Sequence, residues 1–193
     1  MKTFEEFLTE KRVSTTPIKD KSELEKELYD AGIASDIPRM KELLDQGVSP
    51  NVTKSGRSLF MRIISRDNEE AFDLLLKYGV DVNQGDSKKT PLMVACEEIS
   101  REYFVKKLIK AKADVNGTDY RGNDVLYRMC LNAYSEHGNQ NITSFLTYID
   151  LLLDNGAKLS KKLILLLADK SFEGEAVSKI KKIVKKYYPK EFE

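Results

Sequence analysis

Three near-copies of one phrase constrain the fold of this chain more than any other feature. The phrases LLDQGVSPN, LLLKYGVDVN and LIKAKADVN end at Asn51, Asn83 and Asn116, at intervals of 32 and 33 residues. A fixed period of this size is the signature of a stacked-repeat protein, in which each unit packs only against its neighbours. Such a stack presents a long surface and no deep pocket. The sequence therefore predicts a binding scaffold without an active site.

The composition excludes several other classes of protein. Lys and Arg number 32 and Asp and Glu 31, a formal net charge of +1, so bulk electrostatics favours neither nucleic acid nor an anionic membrane as a partner. No apolar run approaches the ~20 residues that span a bilayer. One histidine and two cysteines supply neither a His-rich metal site nor a disulfide framework. We predict no metal, no cofactor, no catalytic residues and a cytoplasmic environment.

The third unit shows most clearly why these residue types recur. Thr90 can cap a helix with its hydroxyl, and Pro91 can occupy the first helical position, where a missing N–H costs nothing. Ala95 and Cys96 are small enough for neighbouring helices to approach closely. This unit resembles the ankyrin repeat, whose pattern reads D-x-x-G-x-T-P-L-H-x-A-A, then L-L-L-x-x-G-A-D-V-N. The resemblance covers residues 22–160 and implies an all-α, ankyrin-like helical-repeat solenoid with short hairpin turns and about five helix pairs, including caps.

The repeat period also sets the expected boundaries. They are 22–51 for an N-terminal cap repeat, 52–83 and 84–116 for two repeats, 117–160 for a repeat with an insertion, and 161–193 for C-terminal cap helices. In the fourth unit the leucine triplet comes eleven residues later than the pattern requires, so we predict that the polar run 135–141 is an inserted loop. Lys112 stands where the third phrase should have a C-cap glycine, whereas Gly47, Gly79 and Gly156 occupy that position elsewhere.

The two caps have signals of their own. Ser22-Glu23-Leu24-Glu25 has the form of a capping box and predicts a helix that begins there and extends through Ala31. Asp36 is expected to cap a second helix. Near the other end, the run 163–167 (LILLL) predicts a buried helix. A last amphipathic helix, with Ile180 and Val184 on its apolar face, should end before Pro189.

The first ten residues, MKTFEEFLTE, lie outside the repeats. They resemble the capsid-targeting sequence of the internal head proteins of T-even-type bacteriophages, which begins Met-Lys-Thr-aromatic and ends x-Glu, with cleavage after that glutamate. The resemblance implies that residues 1–10 are a propeptide, with residues 11–21 as a linker, and that Leu8 and Glu10 direct cleavage before Lys11. Leu8-Thr9-Glu10 is the only Leu/Ile-x-Glu triplet in the chain, as expected of a protein that must survive that protease. Alternatively, Phe4, Phe7 and Leu8 form the apolar face of an N-terminal docking helix.

Ankyrin-like proteins generally bind partners with their turn tips and concave face. By alignment this surface carries an excess of cationic side chains, together with an aromatic one, and Arg and Tyr are favoured at binding hot spots. We therefore predict a protein partner with an acidic patch. The alternative is that turn tips are polar simply because they are solvated. The candidate partner-binding residues are Lys54, Arg57, Arg62, Arg66, Lys88, Lys89, Val94, Tyr120, Arg121 and Arg128.

Three other features have simpler interpretations. Cys96 and Cys130 occupy equivalent positions in successive units, too far apart for a disulfide, and are expected to be buried thiols. His137 lies in the predicted loop without a partner for proton transfer or metal binding. The lysines of the last helix lie mostly opposite its apolar face and are expected to be solvated.

These observations predict a non-enzymatic, monomeric protein-binding module. In the first hypothesis it is packaged in a phage head and injected with the DNA, and then binds, and by family analogy inhibits, a host defence protein in the cytoplasm. In the second it is a cytosolic bacterial or viral interaction protein with an N-terminal docking helix. A third hypothesis is an enzyme with a site around the insertion; against it, the sequence contains no P-loop, no GxSxG and no CxxC.

Overall fold

The computed structural model describes residues 20–86, 88–98, 101–134 and 142–192, which fold into a row of packed helices. Helices α1 and α2, α3 and α4, α5 and α6, and α7 and α8 pack as pairs, while α9 packs on α7, and α10 packs on α7 and α8. This is the predicted all-α, ankyrin-like solenoid. The helices are α1 (Lys21–Ala34), α2 (Ile37–Asp45), α3 (Leu59–Ser65), α4 (Glu69–Lys77), α5 (Pro91–Ala95), α6 (Glu102–Lys110), α7 (Val125–Tyr134), α8 (Ile142–Asp154), α9 (Lys161–Ala168) and α10 (Glu175–Tyr187), followed by a 3-10 turn, Pro189–Phe192.

Short hairpin turns precede several of the first helices. Strand β1 (Thr53–Lys54) pairs antiparallel with β2 (Arg57–Ser58). Ser55 and Gly56 connect them with φ angles of 52° and 71°, as a tight two-residue turn requires. An isolated bridge between Thr118 and Asp124 closes the corresponding turn before α7.

The predicted caps are largely present. The Asp36 carboxylate accepts the Arg39 N–H at 3.0 Å and the Thr90 hydroxyl accepts the Met93 N–H at 3.3 Å. Lys112 adopts φ 65° at the position where the other units use glycine, so a side chain is accommodated there in the left-handed region. The three glycines predicted as C-caps, Gly47, Gly79 and Gly156, have φ angles of 85°, 76° and 86°.

The predicted capping box at Ser22 is wrong. Helix α1 begins at Lys21 with Asp20 as N-cap, and it continues to Ala34. The Asp20 carbonyl accepts the N–H groups of Glu23 and Leu24 at 2.9 and 3.1 Å. Ser22 lies inside the first turn of the helix, and its hydroxyl donates to the Asp20 carboxylate at 3.0 Å. Asp20 therefore takes the position that the S-x-x-E pattern assigned to Ser22.

The prediction that the run 163–167 is buried throughout is also wrong in part. Leu163 and Leu167 are buried, but the side chain of Leu165 is 61% exposed. Helix α9 packs on α7, and no further helix pair follows it in the described chain to cover its other side. The five-residue apolar run therefore contributes one buried stripe and leaves one leucine in solvent.

A ladder of asparagine side chains connects successive units. Each asparagine that ends a repeat phrase uses its side-chain oxygen to accept a backbone N–H from the equivalent position of the next unit. These hydrogen bonds satisfy backbone donors in the connecting segments and fix the distance between units. The amides that donate to Asn51, Asn83 and Asn116 belong to Asp81, Asp114 and Lys158, at 2.7, 2.7 and 2.8 Å.

The third hydrogen bond of the ladder spans the insertion. The link from Asn83 covers 31 residues of sequence, whereas the link from Asn116 covers 42. The difference is eleven residues, the length of the predicted insertion. The predicted loop, residues 135–141, lies outside the described residues, but α7 and α8 on either side of it still pack as a pair. The fourth unit therefore keeps its place in the stack.

Aromatic rings join the second and third units in the core. Phe72 of α4 stacks on Phe60 of α3, with ring centroids 4.9 Å apart, and meets Phe104 of α6 edge to face at 4.9 Å. All three rings are almost completely buried. This cluster contributes hydrophobic stabilisation between the two units.

Candidate functional site

Two shallow grooves lie side by side on the surface formed by the first helix of each repeat and the turn that precedes it. Groove A, of about 220 Å³, lies between α3 and α5; groove B, of about 350 Å³, lies between the turn before α5 and α7. Groove A is lined by Arg57, Ser58, Met61, Arg62, Ser65, Asp86, Lys88, Lys89, Val94 and Glu97. Groove B is lined by Lys88, Lys89, Asp119, Tyr120, Arg121, Asn123, Arg128, Leu131 and Asn132.

Most of the candidate partner-binding residues are brought together here. Eight of the ten line the grooves, and Lys88 and Lys89 line both: the eight are Arg57, Arg62, Lys88, Lys89, Val94, Tyr120, Arg121 and Arg128. Val94 is only 5% exposed, so its side chain belongs to the floor of groove A and not to the exposed contact surface that the alignment predicted. The lining residues thus form one continuous surface across three units.

The other two candidates lie elsewhere. Lys54 points to α1, where its ammonium group lies 2.5 Å from the Asp30 carboxylate and 5.6 Å from the centre of the Tyr29 ring. Arg66 is exposed at the C-terminal end of α3 and lines neither groove. Alignment to the repeat assigned both residues to the binding surface. It gives the position of a residue within its unit but not the direction in which a long side chain extends.

The lining also contains acidic residues that the sequence analysis missed. Asp86, Glu97 and Asp119 stand among six Lys and Arg side chains, so the two grooves together carry a net charge of +3. Glu97 follows Val94 by three residues, the helical spacing that returns to the same face, and this signal was available in the sequence. The surface is therefore basic, but less so than its cations alone suggest.

Glu97 lies at the junction of the two grooves. Its carboxylate contacts the Lys89 ammonium group and lies 2.8 Å from the Arg128 guanidinium. Because Glu97 and Arg128 are 31 residues apart in sequence, only the stacking of α5 against α7 creates this pair. Two of the six cations are thus already engaged by one internal carboxylate.

Asp119 organises the turn that forms one wall of groove B. Its carboxylate accepts the N–H groups of Arg121 and Asn123 at 2.8 and 2.9 Å and the Arg128 guanidinium at 3.1 Å. Burial alone would raise the pKa of Asp119, but hydrogen bonds from Asn123, Arg121 and Arg128 outweigh it and lower the pKa to about 2. Asp119 is therefore a permanent anion that fixes the shape of the turn.

Helix α9 supports the same turn from outside. The Lys162 ammonium group donates to the Arg121 carbonyl at 2.6 Å and to the Asn123 side-chain oxygen at 3.0 Å. The turn is therefore held from within by Asp119 and from α9 by Lys162. A preorganised surface loses less conformational entropy on binding than a mobile one.

Four cations of the grooves remain available to a partner. Arg57, Arg62, Lys88 and Arg121 form no ion pair with any other residue in the described part of the chain. Arg121 lies over the ring of Tyr120, with the guanidinium carbon 5.1 Å from the ring centre. Three of the four available cations, Arg57, Arg62 and Lys88, line groove A, which therefore offers mainly positive charge.

Groove B adds an exposed apolar surface. Tyr120 is 63% exposed, and Leu131, which the sequence analysis did not single out, is 40% exposed. Together with Leu165 they are the large hydrophobic side chains most exposed to solvent among the described residues. Aromatic and arginine side chains of this kind are the usual anchors of protein interfaces.

The remaining features of the sequence add no second site among the residues that the structure describes. Burial raises the pKa of both cysteine thiols, Cys96 and Cys130, which are buried as predicted. His137 lies outside the described residues. Among the residues that the structure describes, no group of three or more His, Cys, Asp or Glu side chains could hold a metal ion, and none of their helices is long and apolar enough to cross a membrane.

A row of paired helices with a surface that is continuous across three units defines a helical-repeat architecture. Residues 28–119 match the family model for ankyrin repeats (3 copies). That segment begins within α1, continues through α6 and reaches the turn that leads to α7. The fourth unit lies beyond the match but continues the same stack through Asn116. Ankyrin repeats indicate a protein–protein interaction module and are typically non-enzymatic.

Proposed function

We propose that this chain binds a partner protein through grooves A and B, and that the contacted surface of the partner is acidic. The observation that supports this most directly is the net charge of +3 in the groove lining, with four cations free of ion pairs among the described residues, on a chain whose total charge is only +1. Charge complementarity of this kind accelerates association and selects partners. Tyr120 and Leu131 supply apolar contact beside the charge.

Charge reversal in the grooves tests this proposal. Replacing Arg62, Lys88 and Arg121 with Glu should reduce capture of the partner at least about tenfold, because each attraction becomes a repulsion. The measurement is affinity purification from expressing cells with quantitative mass spectrometry. A matched variant with Glu in place of Lys110, Lys182 and Lys185, exposed lysines outside both grooves, should retain capture. Equal capture by both variants would show that the partner binds elsewhere.

For the biological setting, we propose that the chain is an internal head protein of a bacteriophage, packaged in the virion and then released into the host cytoplasm. Support comes from the resemblance of residues 1–10 to a capsid-targeting sequence and from the absence of any other Leu/Ile-x-Glu triplet in the chain. In the host cytoplasm the chain would bind a host protein. By family analogy it would act as an inhibitor of host defence. The alternative is a cytosolic, unpackaged interaction protein with Phe4, Phe7 and Leu8 in a docking helix.

Mass spectrometry of purified virions separates these two settings. Packaging predicts a chain that begins at Lys11, because cleavage follows Glu10. Replacing Leu8 with Ala should block that cleavage and leave Met1 in place, whereas replacing Phe4 with Tyr, which keeps an aromatic residue, should not. An intact N-terminus in particles, or absence of the protein from them, would favour the cytosolic alternative.

A further inference from the structure

We propose that the occupant of the two grooves is a short extended segment of the partner with an ordered, bipartite pattern. Carboxylates at one end of the segment contact Arg57, Arg62 and Lys88 in groove A. An apolar side chain about three residues away lies against Tyr120 and Leu131 in groove B. The residues between these two contacts are neutral and pass over Glu97. This inference rests on the proposed function and specifies the chemistry of the partner at the same site.

The spacing follows from the packing of the helices. Groove A is built on α3 and α5, and groove B extends to α7, so their centres are about one helix spacing apart. Packed helices lie about 8–10 Å apart, and an extended chain advances about 3.3 Å per residue. About three residues therefore separate the two contacts.

The charge pattern follows from the ion pairs. Arg57, Arg62 and Lys88 have no acidic partner among the described residues, so they are open to carboxylates. At the junction, by contrast, Glu97 already occupies Lys89 and Arg128. A carboxylate placed over Glu97 would meet a like charge instead of an available cation, and neighbouring like charges are destabilising. Glu97 is therefore a specificity-determining residue, which selects against an acid in the middle of the segment.

The apolar end follows from exposure. Tyr120 and Leu131 line groove B from the turn and from α7, and both are exposed. The turn is held by Asp119 and Lys162, so the Tyr120 ring is presented on a supported backbone. A Phe or Leu side chain between the two residues would remove apolar surface from water on both sides.

Three fluorescein-labelled peptides of one composition test the pattern on the full chain by fluorescence anisotropy. The first has three consecutive carboxylates, two neutral residues and Phe; the second has the same residues in reverse order, since the direction of binding is open. The third moves one carboxylate into the neutral spacer. Either the first or the second should bind at least about tenfold more tightly than the third. Equal binding by all three, equal binding of a labelled DNA oligonucleotide, or no binding at all would overturn the inference.

Two matched variants locate the effect. Glu97→Gln should strengthen binding of the third peptide about tenfold, because it removes the repulsion and releases Lys89, while Arg128 keeps its contact with Asp119. Glu98→Gln, a change of the same kind at an exposed neighbour outside both grooves, should leave all three affinities unchanged. If Glu97→Gln does not alter the preference among the peptides, Glu97 has no role in selection and the inference fails.

The peptide experiment and the charge-reversal experiment together separate failure of this inference from failure of the proposed function. If no peptide binds but charge reversal in the grooves still abolishes capture of the partner protein, the grooves are the site and the occupant is not a short bipartite segment. If charge reversal leaves capture unchanged, the proposed function fails irrespective of the peptide result.

Discussion

Replacing Phe72 with Ala is expected to cost about 3–5 kcal/mol in the free energy of unfolding, the range for truncating a fully buried aromatic side chain. Phe72 is 0% exposed and contacts rings of both its own unit and the next. Its removal therefore leaves a cavity at the junction between units. In a stacked array, stability is approximately the sum of unit and interface contributions, so one change affects both.

Urea denaturation followed by circular dichroism measures this loss. Leu165→Ala is the matched control, because Leu165 is a large apolar residue that is mostly exposed, and its truncation should change the unfolding free energy by no more than about 0.5 kcal/mol. If Phe72→Ala lost less than about 1 kcal/mol, the aromatic cluster would not carry the packing between the second and third units.

Replacing Arg101 with Ala is expected to cost about 2–3 kcal/mol. Arg101 is 8% exposed and donates to the Asp67 carboxylate at 2.9 Å, the Val94 carbonyl at 3.0 Å and the Ser65 carbonyl at 3.1 Å. Truncation would leave these acceptors without their donor near the ends of α3 and α5. Arg101→Lys should recover only part of the loss, because one ammonium group cannot reproduce the planar fork that reaches all three.

The same denaturation experiment serves here, with Lys110→Ala as an exposed control on α6. Because Val94 and Ser65 line groove A, Arg101 lies behind that groove and supports it. We therefore expect Arg101→Ala to weaken partner capture as well, although Arg101 lines neither groove. An Arg101→Ala variant as stable as the wild-type chain would show that water replaces the guanidinium at these acceptors.

The fold followed from the repeat period because the pattern of each unit is local. Thr90, Asp36 and the C-cap glycines act within a few residues of their own helix, and the sequence identified them. The start of α1 was misplaced because Ser22 and Asp20 both lie at its N-terminal end, and sequence alone does not decide which of them the backbone uses. The asparagines were recognised as markers, but their hydrogen bonds to the next unit required the stack.

The candidate site was predictable only in part, because its ion pairs, like the asparagine hydrogen bonds, form only when the units stack. The sequence gives the cations of each turn, yet whether a cation is free depends on residues about thirty positions away. Lys54 is bound by Asp30 of the preceding unit, and Arg128 by Glu97. Stacking creates both pairs, so no local pattern distinguishes Arg128 from Arg121. The exposure of Leu131 likewise depends on what covers α7.

The link from Asn116 to Lys158 has a consequence for how such a chain can change over time. Because this hydrogen bond has the same form as those of the preceding units, the eleven extra residues of the fourth unit leave α7 and α8 packed as a pair in the stack. We therefore expect residues added or removed between α7 and α8 to leave the units on either side undisturbed. The same position is therefore a natural graft point, where a foreign peptide or small domain could be displayed on an intact scaffold.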